Sequence, residues 1–199
     1  NAIAELQPEM NVVAIVPSTH NMLGGSAYKP GDILTAYNGK TIEVLNTDAE
    51  GRLILADALA YASKNYDPEY MLDFATLTGA VVVTLGHIAT GLMSNNDTLV
   101  ENIKVSSDNT GEHVWQLPLW DEYCDQVKSD VADVKNLGSP GQAGTIAGAA
   151  FLKAFVGKDI PWAHFDVAGT SYHVENRSYI QKNSASGQVI RLVLDLLGA

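Results

Sequence analysis

Short apolar segments rich in β-branched and aromatic residues alternate along this chain with segments whose apolar residues recur at helical spacing. The first kind predicts buried strands at residues 11–17, 31–37, 41–45, 70–77 and 160–167. The second kind predicts helices at residues 52–64, 145–156 and 187–197. Because strands and helices alternate throughout, we expect an α/β fold with a mixed, largely parallel central sheet flanked by helices.

Several shorter segments carry their own signals. Asn38-Gly39 separates the second and third predicted strands and is typical of a tight β-hairpin. Residues 79–85 fit either a strand or a buried helix, and the sequence does not decide between them. Residues 99–131 carry helical patches around residues 115–118, where Pro118 forces a break. Residues 138–144 are predicted to be a loop because they are rich in Gly and Ser.

The sequence contains no internal repeat, low-complexity tract or interdomain linker, so we expect residues 1–199 to form one domain. Its first residue is not Met, and the apolar residues up to Leu6 are typical of the last turns of a helix that ends before Pro8. We therefore expect the chain to begin inside a helix and to lack an upstream part of its protein.

Charge and hydropathy weigh against several classes of function. The net charge of −11 creates an anionic surface that repels phosphate backbones, which disfavours nucleic-acid binding. No apolar stretch is long enough to span a bilayer, so no membrane partner is expected. The single cysteine, Cys124, allows no internal disulfide, which is consistent with a reducing compartment and a cytoplasmic location.

The most informative segment is the heptad Asn46-Thr-Asp-Ala-Glu-Gly-Arg52, which lies between a predicted strand and a predicted helix. Ligands of open α/β sheets gather at such strand ends. Asp48 and Glu50 are two residues apart, so in extended geometry both carboxylates face the same side. Two hard oxygen donors suit a divalent metal ion. Arg52 keeps its proton and can bind an anion through two N–H groups.

A structural interpretation of the heptad competes with the metal site. Thr47 and Glu50 have the spacing of a capping box, in which both side chains bind free N–H groups at a helix start. Asp48 would then complement the helix dipole, and Arg52 would be a surface ion-pair partner of little energetic value. Spacing alone favours the capping interpretation, because capping boxes are far more common than metal sites.

The heptad resembles the signature of the leucyl aminopeptidase family, also called cytosol aminopeptidases. Six further segments resemble the catalytic domain of that family and occur in the expected order. They are Lys29–Ile33, Asn38–Glu43, Leu53–Leu59, Ala75–Ala80, Ala143-Gly144 and Trp162–Gly169. The resemblance covers essentially the whole chain and identifies it as the C-terminal portion of the catalytic domain.

The resemblance implies a two-metal aminopeptidase that releases N-terminal residues from peptides, with leucine often preferred. By that resemblance Asp48 and Glu50 bind two divalent ions (Zn²⁺, Mn²⁺ or Mg²⁺), and Arg52 holds a bicarbonate ion that acts as general base. The substrate-binding residues that it implies are Asn46, Thr76, Leu77, Gly79 and Ala168. Members of the family assemble as hexamers, so a homo-hexamer is expected for the parent protein.

This chain departs from the family pattern in two places. The remaining family ligands, a lysine and two aspartates, lie in an upstream segment with no counterpart here, so this chain alone is expected to be inactive or nearly so. Thr170 and Ser171 stand where relatives often carry a larger apolar residue, which weakens the expectation of strict leucine preference.

Two other functions compete with the peptidase. One is a non-catalytic or regulatory family member that binds DNA or serves as a scaffold, which the net charge disfavours. The other is a magnesium-dependent phosphoryl-transfer enzyme that would use Asp48 and Glu50. The sequence lacks a glycine-rich phosphate loop, which disfavours this second alternative.

Overall fold

A computed structural model describes residues 1–172, 174, 178, 180 and 184–199. Its helices and strands follow in the order α1 (Ala2–Leu6), β1 (Ile33–Thr35), β2 (Thr41–Glu43), α2 (Gly51–Asn65), β3 (Met71–Ala75), α3 (Gly79–Leu85), β4 (Thr90–Ser94), α4 (Asp97–Thr110), β5 (Val114–Gln116), α5 (Asp121–Asp125), β6 (Val134–Lys135), α6 (Gly144–Lys153), β7 (Trp162–Asp166) and α7 (Ile190–Leu196). The chain divides into two compact units. The first contains Asn1–Ala14, Leu72–Leu117 and Trp162–Ala199, and the second contains Ile15–Met71 and Pro118–Pro161.

The sheet of the first unit has the strand order β3-β7-β4-β5, with β4 antiparallel to β7 and parallel to β5. Every residue of β7 is buried, as is typical of a strand inside a sheet that is covered on both faces. Helix α4 packs against α7 and buries Leu99, Val100 and Ile103 at helical spacing. The side-chain oxygen of Asn96 accepts a hydrogen bond from Leu99 N at 2.8 Å and caps the start of α4.

The sheet of the second unit has the strand order β1-β2-β6. Strands β1 and β2 form the predicted antiparallel hairpin, in which Leu34 lies opposite Ile42. Gly39 has a φ of +89°, a conformation that glycine adopts without steric penalty. Strands β2 and β6 run parallel, with Ile42 beside Val134, so both strands end at the same edge. Helices α2 and α5 pack against α6, whose residues 147–152 are all buried.

Most of the predicted elements are confirmed. The predicted helices correspond to α2, α6 and α7, and four of the predicted strands correspond to β1, β2, β3 and β7. The α/β class with mixed sheets and flanking helices is confirmed as well. Residues 79–85, which fitted a strand or a helix, form α3, and the hydroxyl of Thr78 caps it by accepting a hydrogen bond from Val81 N. In the described part of the chain, no helix combines the length and apolar character needed to cross a bilayer.

Two predictions of secondary structure are wrong. Residues 11–17 form no strand, and Val13 and Val16 are exposed. A strand needs a neighbour for its backbone N–H and C=O groups, and none of the described strands pairs with this segment.

The helical patch expected around residues 115–118 is instead strand β5, because Gly91 of β4 pairs with Trp115. Strand β4 itself escaped prediction, since Gly91 lowers the strand propensity of a short segment.

Candidate functional site

The heptad forms the connection between β2 and α2 in the second unit. Asn46 turns the chain, because its side-chain oxygen accepts a hydrogen bond from Asp48 N at 2.9 Å and its carbonyl accepts one from Ala49 N at 3.3 Å. Asp48 is exposed and Glu50 is half-buried. The turn therefore leads the chain from the sheet edge into α2 with two carboxylates near solvent.

The capping interpretation of the heptad is wrong. Helix α2 begins at Gly51, its N-cap residue is Glu50 rather than Thr47, and Glu50 forms no side-chain capping hydrogen bond. Across the described residues, neither the Asp48 nor the Glu50 carboxylate accepts a hydrogen bond. Both carboxylates therefore keep their oxygen atoms available for another cation or donor.

Two neighbouring groups define the electrostatics of this turn. Burial raises the pKa of the Tyr28 phenol, and the negative charge of Glu50 raises it further. Arg52 is only 7% exposed, so the expectation of a surface ion-pair partner is wrong. Its Nη1 atom donates a hydrogen bond to the Asn136 carbonyl oxygen at 3.1 Å. A buried guanidinium thus lies in the first turn of α2, two residues after Glu50.

Asn136 is the residue of this site that the sequence analysis missed. It follows β6, which runs parallel to β2, so Asn136 and the heptad lie at the same sheet edge. Its side chain is fully buried. The side-chain oxygen accepts hydrogen bonds from Leu45 N at 2.8 Å and Asn46 N at 3.3 Å, and the amide nitrogen donates to Asn46 O at 2.7 Å and Ala49 O at 3.5 Å.

The other predicted site residues lie in the first unit, at the ends of β3 and β7. Thr76, Leu77 and Gly79 lead from β3 into α3, and Ala168 follows β7. Thr76 and Gly79 are exposed, whereas Leu77 and Ala168 are half-buried. Because β3 and β7 are neighbours in the sheet, these two segments meet at one edge of the unit.

Asp166, the last residue of β7, joins those two segments and was also missed. Its carboxylate is fully buried. One oxygen accepts hydrogen bonds from the backbone N–H groups of Leu77 and Ala168, each at 3.2 Å. The other oxygen accepts a hydrogen bond from the Thr78 hydroxyl at 2.6 Å. Leu77 and Ala168, which the family resemblance selected, are therefore fixed by one buried carboxylate.

Directly after Ala168, the backbone at Gly169 lies close to the backbone at Gly86. A Cβ atom at Gly169 would overlap the carbonyl oxygen of Gly86, which explains the absence of a side chain at Gly169. His87 Nδ1 lies 2.7 Å from the Gly169 carbonyl oxygen. Thr170 is buried, and its hydroxyl forms a hydrogen bond with that of Thr90 at 2.8 Å. Residues 168–170 are thus held firmly against the segment that follows α3.

A second polar cluster is buried in the first unit away from solvent. The Asp73 carboxylate accepts a hydrogen bond from Trp162 Nε1 at 2.7 Å and lies 2.6 Å from His164 Nδ1. His164 is fully buried. A substrate could not reach this imidazole from solvent, so the structure assigns His164 a hydrogen-bonded structural role.

Comparison with known proteins decides the family. The sequence profile of the cytosol aminopeptidase family, catalytic domain, matches residues 1–194. The chain belongs to the cytosol aminopeptidase family.

Individual relatives agree with that assignment. A probable cytosol aminopeptidase of Desulfotalea psychrophila is 53% identical over 196 residues, which cover 98% of this chain and 38% of the relative. One of Cenarchaeum symbiosum is 50% identical over 198 residues, which cover 98% of this chain and 40% of the relative. The solved structure of a tomato leucine aminopeptidase mutant matches 89% of this chain and 34% of its own, at 45% identity and a TM-score of 0.81.

The chain therefore spans about two fifths of the length of the curated relatives that it matches. Within the described residues, no group of three or more His, Cys, Asp or Glu side chains is placed to hold a metal ion. The heptad contributes two carboxylates, Asp48 and Glu50. These two donors suit a divalent cation in type but form only part of a coordination shell.

Proposed function

We propose that this chain contributes part of the active site of a metal-dependent aminopeptidase that releases N-terminal residues, with a leucine-type preference, from peptides. The observation that supports this proposal most is that the heptad carboxylates make no hydrogen bond within the described part of the chain. Asp48 and Glu50 are not used as helix caps, and neither accepts a hydrogen bond from the described residues. Their oxygen atoms therefore stay available to a divalent cation, which carboxylates commonly bind.

The donor set fits the metal ions that the family resemblance implies. Asp48 and Glu50 would hold two divalent cations, for which Zn²⁺, Mn²⁺ and Mg²⁺ are the candidates, since carboxylate oxygens bind all three. When bound, such ions lower the pKa of a coordinated water and polarise a peptide carbonyl. The other ligands of the two ions would be residues beyond those that the structure describes.

Arg52 supplies a fixed positive charge two residues after Glu50. Its burial and its hydrogen bond to the Asn136 carbonyl hold the guanidinium in one place. A guanidinium keeps its proton, so it cannot act as a base, but it can orient an anion that does. We therefore place the implied bicarbonate ion at Arg52. A preorganised cation in a water-poor site also stabilises negative charge that develops during peptide cleavage.

The segments joined by Asp166 would bind the peptide. The N–H group of Leu77 donates to Asp166, so the group that Leu77 offers to a substrate backbone is its carbonyl oxygen. Thr76 and Gly79 flank this position and are exposed. Ala168 would border the pocket for the N-terminal side chain. For Asn46, a substrate contact rests on the family resemblance alone. The buried carboxylate of Asp166 would keep the peptide-binding segments rigid.

The remaining parts of the proposal concern the whole protein. The names of the relatives, probable cytosol aminopeptidases, support a cytoplasmic location. The match of the catalytic-domain profile to residues 1–194 supports one domain. The homo-hexamer rests on the family resemblance alone. Because two carboxylates provide too few ligands for two ions, we propose that this chain alone is inactive or nearly so.

A chimera tests the proposed function. In it, this chain replaces the matching segment, 38% of the length, of the Desulfotalea psychrophila relative. Hydrolysis of leucine p-nitroanilide is measured with added Zn²⁺, Mn²⁺ or Mg²⁺ for the chimera, for the intact relative and for this chain alone. We expect activity in the chimera and the relative and none in the chain alone. A folded, metal-loaded chimera that is inactive beside an active relative would contradict the proposal.

A further inference from the structure

We infer that Asn136 is a positioning residue that fixes the heptad turn, and with it the carboxylates of Asp48 and Glu50 and the guanidinium of Arg52, in one arrangement. Neither the family resemblance nor the comparisons assign a role to Asn136. The part of the inference that concerns metal ions and catalysis rests on the proposed function. The part that concerns the turn rests on geometry alone.

The fold brings Asn136 to the heptad from a distant part of the sequence. Strand β6 pairs in parallel with β2, so that Lys135 lies beside Glu43. The backbone N–H of Asn136 continues this pairing by donating to Glu43 O at 3.0 Å. The side chain of Asn136 therefore reaches the first residues beyond β2, although it lies 90 positions from Asn46 in the chain.

The contacts of Asn136 bracket the two carboxylates. On the N-terminal side, its side-chain oxygen accepts from Leu45 N and Asn46 N, and its amide nitrogen donates to Asn46 O. Between Asp48 and Glu50, the same nitrogen donates to Ala49 O. On the C-terminal side, the Asn136 carbonyl accepts from Arg52 Nη1. One buried residue thus contacts the backbone before and between the carboxylates and the side chain that follows them.

The chemistry of these contacts requires a carboxamide. A single planar group must accept two hydrogen bonds and donate two others, which only the side chains of Asn and Gln can do. Gln is one methylene longer, and the fully buried position leaves no room for it without shifting the turn. Asp would lose both donor contacts, and Ala would lose all four side-chain contacts.

The turn needs such support because its own hydrogen bonds are few. Within the heptad, Asn46 accepts from Asp48 N and Ala49 N before α2 begins. Hydrogen bonds from the buried Asn136 side chain add to these few contacts, in the same way that groups behind metal ligands commonly orient them.

Amide hydrogen exchange in the full chain, followed by NMR, tests the turn directly. Asn136→Ala is expected to speed exchange at the Leu45 and Asn46 amides about tenfold, because both lose their acceptor. The amide of Val44, which donates to Asp32 O at 2.9 Å, should keep its rate. Unchanged exchange at Leu45 and Asn46 would overturn the inference.

A second variant separates the two kinds of contact and preserves the side-chain volume. Asn136→Asp keeps the acceptor for Leu45 N but removes the donors to Asn46 O and Ala49 O. We expect faster exchange at the Asp48 and Ala49 amides, with Leu45 still protected. Protection at Asp48 and Ala49 equal to that in the unmodified chain would show that the donor contacts do not hold the turn.

The functional part is tested in the chimera described above. Asn136→Ala is expected to weaken Mn²⁺ binding, measured by electron paramagnetic resonance, by about 10- to 100-fold. It is also expected to lower kcat by up to about 100-fold, because the Asp48 and Glu50 carboxylates and the Arg52 guanidinium would no longer be held in place. The control is Asn96→Ala, which removes the cap of α4 in the other unit. It should lower the thermal stability without changing Mn²⁺ affinity or kcat.

The outcomes distinguish the inference from the proposed function. A chimera with native Asn136 that neither binds Mn²⁺ nor hydrolyses substrate contradicts the proposed function, while the exchange rates still decide whether Asn136 fixes the turn. An active chimera whose Mn²⁺ affinity and kcat are unchanged by Asn136→Ala contradicts the positioning role. If Asn96→Ala lowers Mn²⁺ affinity and kcat as much as Asn136→Ala does, the effect reflects general destabilisation, and the positioning role is wrong.

Discussion

The Thr78 hydroxyl donates a hydrogen bond of 2.6 Å to the Asp166 carboxylate, although the two residues are 88 positions apart in the chain. The same hydroxyl oxygen accepts a hydrogen bond from Val81 N and so caps α3. Thr78 thus connects the start of a helix to the end of the neighbouring strand. Its position ties the segment around Leu77 to the segment around Ala168 by way of one buried carboxylate.

Thr78→Ala tests this connection. The substitution removes a hydrogen bond to a buried carboxylate and a helix cap, so the free energy of unfolding is expected to fall by about 2–3 kcal/mol. Urea denaturation followed by circular dichroism measures it. The control is Thr84→Ala on the same helix, where the hydroxyl donates only to Ala80 O in an exposed position. An equal effect of both substitutions would contradict the role given to Thr78.

The approach of Gly169 to Gly86 gives a second prediction. A Cβ atom at Gly169 would overlap the Gly86 carbonyl oxygen, which belongs to the backbone and cannot move aside alone. Gly169→Ala is therefore expected to lower the free energy of unfolding by about 1–3 kcal/mol or more. Gly79→Ala serves as control, because a Cβ atom there meets nothing within 4 Å. Equal thermal unfolding temperatures for the two variants would contradict the close contact between Gly169 and the Gly86 carbonyl oxygen.

The third prediction concerns pH and the pairing of β2 with β6. The backbone N–H and the hydroxyl of Thr41 donate to Asp133, each at 2.8 Å, and these hydrogen bonds lower the pKa of the Asp133 carboxyl. A lowered pKa in the folded state gives stability that is present above the unfolded pKa and is lost as the pH falls through the folded pKa. Thr41→Val removes the side-chain donor and should raise the pKa of Asp133 towards its ordinary value.

Carboxyl-carbon NMR titration measures the pKa of Asp133 in both proteins. A pKa of Asp133 that does not change on Thr41→Val would contradict the contact between these residues. Since Asp133 precedes β6, the result also reports on the strand pairing that delivers Asn136 to the heptad.

The sequence predicted those parts of the site that are contiguous in the chain. Asp48, Glu50 and Arg52 fall within seven residues, so their proximity follows from local geometry. The hairpin at Asn38-Gly39 was predictable for the same reason. The start of α2 was not, because the turn formed by Asn46 shifts the first helical residue to Gly51.

The residues that support the site depend on strand pairing and escaped prediction. Asn136 meets Asn46 only because β6 lies beside β2, and Asp166 meets Leu77 only because β7 lies beside β3. A signal exists in the sequence for Asp166, a polar residue in the last part of the predicted strand at residues 160–167, whereas the strand before Asn136 is only two residues long. That signal does not say which distant segment such a residue contacts, and tertiary pairing decides it.

The measurement that tests the central claim most directly compares carboxylates in the chimera. Asp48→Asn and Glu50→Gln each replace one heptad carboxylate by an amide of the same shape, and Asp130→Asn and Glu69→Gln do so at exposed positions elsewhere in the same unit. We expect each heptad variant to lower Mn²⁺-dependent hydrolysis of leucine p-nitroanilide at least about 100-fold, since metal-bound chemistry supplies several kcal/mol. The two controls should keep the unmodified rate. Heptad variants as active as the controls, in folded protein, would contradict the account.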